Sequence, residues 1–287
     1  MTPHVLVCPC HEPLLRRLAG RKLVLRVTSA QEMADAIRYS QQYNLQLHCF
    51  WFTTPAPLAA LVLQPEHRDK PLALYVSELG PFPEFIKRLP ELRGMNLRVY
   101  LPTGSRDNYT NLRILSSLGI ASAVVLREPE VDWENLSDLM TYALLGLAPH
   151  APIEPFQFIA RHYDCARQTD FSAVYFADPC RYLHVNEQGC VALTPEELEA
   201  QNFILEDVHG LDAVGEHEAY LRRLEAWRDF FLAPEGCAYC QGWRVCLGKF
   251  RFTADSNPGC KAFFAELIEA AEQYQALQNQ QKSLWLP

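Results

Sequence analysis

The first half of this chain alternates short apolar, β-rich runs with stretches of helical periodicity. That alternation limits the folds open to it more than any other feature. Val5–Val7 and Lys22–Thr28 read as strands. Ala30–Tyr43 follows as a helix, with Met33, Ala34, Ile37 and Tyr39 near helical spacing. Leu45–Thr53, Pro71–Ser77, Leu97–Leu101 and Ala121–Leu126 are further strands. They are interleaved with helices over Pro83–Leu92, Tyr109–Leu118 and Trp133–Leu145, and Phe156–Ala160 reads as one more strand. Strands this uniformly apolar belong to a parallel sheet buried on both faces. The expected fold class is therefore α/β. A partial (β/α) barrel-like parallel sheet over residues 1–165 leads, and an open doubly wound sheet is the alternative. The first β-α unit has no G-x-G-x-x-G and no Walker loop, so nothing supports nucleotide binding.

After about residue 165 the rhythm changes, and residues 166–287 are expected to form a smaller α+β domain. Ala173–Phe176 and Tyr182–Val185 are short strand candidates. Asn186–Gly189 is a turn signal, from which Cys190–Leu193 can pair back as a hairpin. Thr194, Pro195 and Glu197 spell a helix start: a Thr cap, Pro in the first turn, and Glu completing a capping box. Helices are expected over Val214–Leu232, with Tyr220, Leu221, Leu224, Trp227 and Phe231 on one side, and over Lys261–Leu277, with Phe264, Leu267, Ile268, Ala271 and Tyr274 facing the core.

Between these two helices lies the chemistry. Cys237, Cys240, Cys246 and Cys260 are spaced C-x2-C-x5-C-x13-C, four of the chain's ten cysteines inside 24 residues. In a C-x2-C turn both sulfurs can point inward, where backbone N–H groups meet the negative thiolates. Four thiolates, three close in sequence and one remote, suit a 4Fe–4S cluster, with Trp243, Phe250 and Phe252 available to shield it. Structural zinc, Zn2+, is the alternative, although it more often uses two C-x2–4-C knuckles. Buried reduced cysteines are the plainest reading. The N-terminus, Met1–Cys8, lacks a basic leader and a long apolar run, and no segment reaches a membrane-spanning length. A cytoplasmic location is expected, where clustered cysteines more often bind metal than form disulfides. The net charge of −8 disfavours a nucleic-acid partner.

The cysteine spacing resembles the auxiliary-cluster region of the SPASM domains that follow the barrel of many radical SAM peptide-modifying enzymes. Cys237, Cys240, Cys246 and Cys260 match the four positions that ligate the outer auxiliary cluster in that family. The family's inner cluster uses a further cysteine four residues after the third, and Phe250 stands there. It also uses a hairpin of the form C-x(9–15)-G-x4-C. Cys180 and Gly189 echo this hairpin one residue short, and Thr194 replaces the second cysteine. The resemblance implies one retained cluster, with Cys180 and Cys190 as ordinary residues of a kept hairpin. The family's catalytic C-x3-C-x2-C triplet and its Gly-Gly contact to S-adenosylmethionine are both absent. The chain thus resembles a degenerate radical SAM protein that does not bind S-adenosylmethionine. Its implied role is an accessory subunit, partnered with a true radical SAM enzyme and its precursor peptide and able to relay electrons. Two other function classes stay open: a stand-alone enzyme with its site in the β/α domain, and a zinc-stabilised binding module.

Three weaker constellations remain. His4, Cys8, Cys10, His11 and Glu12 include soft metal ligands, but Val5–Val7 reads as a strand whose end the cysteines mark. Glu216, His217 and Glu218 are expected on one helix, where residues two apart do not share a face. His162 and Cys165 have the residue types of a nucleophile pair, but adjacency in sequence does not make them meet in space.

Overall fold

The computed structural model describes residues 4–63, 67–125, 131–169, 171–232, 239–246 and 258–284. Cys237, Phe250, Phe252 and the turn 233–236 lie outside them, as do the side chains of Trp227 and Phe231. Among the described residues there are nine strands in an open, mostly parallel α/β arrangement. The chain divides into two compact units, each built from two segments. One takes Met1–Arg98 and Tyr175–Arg228, the other Val99–Val174 and Asp229–Pro287.

The first unit contains β1 (Val5–Pro9), β2 (Lys22–Val27), β3 (Gln46–Thr53) and β4 (Leu72–Tyr75). The first helices are α1 (Glu12–Arg17), α2 (Ala30–Gln42) and α3 (Phe82–Arg93). These strands lie side by side in chain order and run parallel. Each parallel step needs a crossover, and crossovers are right-handed. Strands added always in one direction therefore send their helices to the same face. Residue types record this asymmetry. Register places Leu6, Leu23, Leu25, Phe50, Phe52, Leu72 and Leu74 on one face, all buried. Leu14 and Leu15 of α1 and Met33 and Ala36 of α2 are buried apolar residues of the helices serving it. The opposite face carries Arg26, Trp51 and Tyr75.

The returning segment closes this unit. β8 (Tyr182–Val185) pairs in parallel with β1, Val5 opposite Tyr182 and Val7 opposite His184. β9 (Val191–Ala192) turns back antiparallel as the hairpin expected. Asn186 Oδ1 accepts from the Gly189 and Cys190 amides at 3.0 and 2.8 Å, and Gly189 takes the positive φ of 97° that the turn requires. Phe176 packs against Trp51 and Tyr182, ring centroids 5.7 and 5.5 Å apart, and the Phe176 carbonyl meets His184 Nε2 at 3.1 Å. An aromatic layer thus covers the face that the helices leave bare. Thr194 caps α7 (Pro195–Glu199) as expected, accepting from the Glu197 amide at 3.1 Å.

The second unit holds β5 from Val99 onward (β5 spans Leu97–Pro102), β6 (Ser122–Val125) and β7 (Ile153–Glu154). Its helices include α4 (Arg106–Ser117), α5 (Trp133–Leu145), α6 (Phe156–His162), the short helix Trp243–Cys246 and the C-terminal helix Pro258–Leu284. No described helix is long and apolar enough to cross a membrane.

Three local expectations are corrected. Phe156–Ala160 is helical, because Phe156, Ile159 and Ala160 are buried at helical rather than alternate spacing. Ala173–Phe176 is not a strand. Phe171–Ala173 is a 3-10 turn, closed by Val174 N–H on Phe171 O at 2.8 Å, and the Val174 carbonyl accepts from the Tyr100 hydroxyl at 2.5 Å. The helix expected from Val214 is two elements: a 3-10 segment Val208–Glu216 and α8 (Glu218–Leu232). They are separated by His217 in an extended conformation, and Leu221 is 50% exposed rather than inward.

This burial pattern predicts a sharp contrast in urea unfolding. Phe50→Ala, in the centre of the apolar face, should lose about 3–5 kcal/mol. Leu221→Ala should stay within about 0.5 kcal/mol of the parent.

Candidate metal centre

The C-terminal helix provides the foundation of the cysteine region. Phe263 packs on Trp133 of α5 and Phe156 of α6, with centroids 5.6 and 6.2 Å away. Gln275 Nε2 donates to the carbonyls of Ala160 and Tyr163 at 2.9 and 3.0 Å, and Ser137 Oγ donates to Glu266 at 2.9 Å. Gly259 lies flat against the Trp133 indole, where a Cβ would overlap the ring. Cys260 is therefore fixed in the first turn of a helix that is anchored along its length.

Cys240 and Cys246 bracket a tight turn. Trp243 N–H bonds Cys240 O at 3.1 Å, and Cys246 N–H bonds Gly242 O at 2.7 Å. Gly242 sits directly on Phe264, and any side chain at residue 242 would overlap the Phe264 Cβ and crowd the ring atom attached to it. Phe264 lies four residues after Cys260, on the same helix face. Glycine at 242 thus lets the turn bearing two thiols press against the helix face bearing a third. Cys246 is buried, and Cys240 and Cys260 are half-buried. These are three of the four thiols of the C-x2-C-x5-C-x13-C spacing; the other, Cys237, lies outside the described residues. Among the described residues, no group of three or more His, Cys, Asp or Glu is placed to hold a metal ion.

Spacing gave no sign of one neighbour. The Arg244 guanidinium donates to the Cys165 carbonyl, and Arg244 O accepts from Thr169 N–H at 3.0 Å. The exposed Cys165 is thereby tied to the cysteine turn. His162 is engaged elsewhere: its Nδ1 meets Phe158 O at 2.8 Å, and its ring stacks on Phe158 at 4.3 Å.

Cys180 and Cys190 belong to the other unit. Cys180 Sγ accepts from Arg228 at 3.6 Å, and Cys190 shapes the hairpin. Glu216 ends the 3-10 segment, His217 separates it from α8, and Glu218 begins α8, so the three do not share one helix.

At the N-terminus, burial pushes the Cys8 thiol up to about 12, with Arg26 opposing and Cys10 adding to the shift. Burial, then Glu32 and Asp35, push Cys10 up to about 11. Cys10 Sγ contacts Glu32 O at 3.5 Å. Cys8 is a core thiol and Cys10 a half-buried one at the end of β1, as the strand reading expected. No protein-family model matches the chain, and no curated protein matches it.

Two outcomes follow. Gly242→Ala should destabilise the protein by about 1–3 kcal/mol through overpacking on Phe264. Phe264→Ala keeps the Cβ that a methyl at residue 242 meets first, so in a double-mutant cycle in urea it should not rescue Gly242→Ala. The raised thiols set a pH dependence. A folded pKa above the unfolded value of 9.0 gives stability that is full below about pH 9 and lost as pH rises toward 12. Cys8→Ala should flatten the alkaline fall in unfolding free energy, and in the parent at pH 8 Cys8 should alkylate at least ~10-fold more slowly than exposed Cys165.

Proposed function

We propose that this chain is an iron–sulfur-bearing accessory subunit of a radical SAM peptide-maturation system. In this reading it keeps a partial (β/α) barrel-like sheet and a SPASM-like cysteine region but does not cleave S-adenosylmethionine itself. The observation that carries the proposal is the spacing of Cys237, Cys240, Cys246 and Cys260, with Phe250 and Thr194 standing where the inner-cluster cysteines would be. Three features of the fold support it. The strands β1 to β4 are added in one direction, as in a barrel, before β8 joins the other edge of β1. Gly242 lets the Cys240–Cys246 turn lie against the helix face that bears Cys260. Thr194 is committed to capping α7, which gives its hydroxyl a structural role.

A cluster held by four thiolates supplies one-electron transfer at irons with no open coordination position. The chain's own part is to hold and shield it. Cys237, Cys240, Cys246 and Cys260 would be the ligands, and burial at Cys246 and the Phe264 face would limit water access. The partners are the radical SAM enzyme and its precursor peptide.

Anaerobic reconstitution with iron and sulfide tests this reading. The expected product is brown, absorbs broadly near ~400 nm and carries about four iron per chain. Cys246→Ala should abolish this, whereas Cys190→Ala should not. Colourless protein with one zinc, or equal loss in both variants, would reject the assignment. Co-purification with a radical SAM enzyme encoded nearby tests the partnership.

A further inference from the structure

The strand order of the first unit changes direction at β1: β2, β3 and β4 are added on one edge, and β8 returns to the other. In open α/β sheets, ligands bind in the crevice beyond the carboxyl ends of the strands at such a point. Arg26 lies there. It is the penultimate residue of β2, opposite Pro9, the last residue of β1. Its Nη2 donates at 3.3 Å to the carbonyl of Val185, the last residue of β8. The guanidinium therefore reaches from β2 to β8 across the carboxyl end of β1, on the face that the helices leave bare.

This cation lacks a bound counter-charge. A guanidinium has five N–H donors, and among the described residues the Val185 carbonyl is the only group that accepts from Arg26. Its Nε is buried without a partner. None of the ion pairs among the described residues includes it. Burial lowers its pKa, while Cys8, Glu199 and Glu187 oppose the shift from beyond ion-pair distance. Charges withdrawn from water in proteins are ordinarily paired, so a guanidinium left in this position points to an anion that the chain itself does not supply. The neighbours narrow its chemistry. Trp51 is the register partner of Arg26 on β3, and its ring packs on Tyr75 with centroids 5.2 Å apart. Arg26, Trp51 and Tyr75 each keep part of their surface in solvent. An aromatic ledge beside a planar cation suits a carboxylate joined to a flat apolar group. The nearby charges of Glu187 and Glu199 make a dianion such as phosphate the poorer fit.

We propose that Arg26 and Trp51 form a binding site for a monocarboxylate carried on an aromatic or other flat apolar body. The carboxylate would meet the outer nitrogens of the guanidinium fork, and the body would lie on Trp51 and Tyr75. The proposal does not depend on the four-cysteine reading, because its residues all belong to the first unit.

The test is titration of the full chain with sodium 3-phenylpropionate, following the Arg26 Nε–H and Trp51 indole N–H resonances by NMR. 3-Phenylpropylammonium chloride and sodium phosphate, with ionic strength matched by sodium chloride, serve as comparison arms. The expected result is a saturable shift of both resonances with phenylpropionate, none with phenylpropylammonium and a weaker response to phosphate. Arg26→Gln should abolish the shift at Trp51 while far-UV circular dichroism stays unchanged. Trp51→Leu should weaken binding, read at Arg26, about threefold, the scale of one aromatic contact. The proposal is overturned if phenylpropionate gives no saturable shift at tens of millimolar or if phenylpropylammonium or phosphate binds as well. It is also overturned if the shift survives in a folded Arg26→Gln protein or if Trp51→Leu binds as tightly as the parent.

Discussion

β1 has a parallel neighbour on each edge, β2 and β8, and the first unit depends on that double pairing. A buried strand must satisfy its backbone N–H and C=O groups on both sides. The first 98 residues provide partners on one side only. Residues 182–185, far later in the chain, provide the other. Leu6 and Cys8 of β1 are 2% and 0% exposed, so water cannot substitute for that partner. The return of β8 also brings the 3-10 segment and α8 into the unit, and with them the His4–Tyr220 contact.

The one-directional order of β1 to β4 explains the chemistry of the two faces. Right-handed crossovers place helices on one side, and that side is almost wholly aliphatic and Phe. The other side holds Arg26, Trp51, Tyr75, Tyr182 and His184, covered by the segment around Phe176 rather than by a helix. Arg26 satisfies part of its hydrogen-bonding capacity on the Val185 carbonyl at 3.3 Å. Burial lowers its pKa, with the neighbouring thiol and carboxylates opposing the shift.

In the second unit the controlling contacts are two glycines. Gly259 against Trp133 seats the start of the C-terminal helix, and Gly242 against Phe264 seats the cysteine turn upon it. Both are steric requirements, so a methyl group at either place would push the cysteine segments away from their support. Arg244 then ties the Cys165 segment to the same turn through one guanidinium bond to the Cys165 carbonyl and one backbone bond from Thr169 N–H. The local geometry of Cys240, Cys246 and Cys260 thus depends on close packing before any metal is considered.

The sequence alone determined the elements whose signal is local. The strands from β2 to β6, helices α2 and α5, the Asn186–Gly189 turn and the Thr194 cap follow from periodicity, turn chemistry and capping, which act within a few residues. It also determined the four-thiol spacing, because ligand patterns are written in residue intervals. Phe156–Ala160 misled because a short apolar run does not distinguish strand from helix until its burial is known. Only the tertiary structure decided that residues 175–228 join the first 98. It alone brought Cys165 to the cysteine turn, and it alone made the glycines at 242 and 259 steric necessities. Each of these rests on contacts between segments far apart in the chain, and no local preference encodes which distant surface a residue will meet.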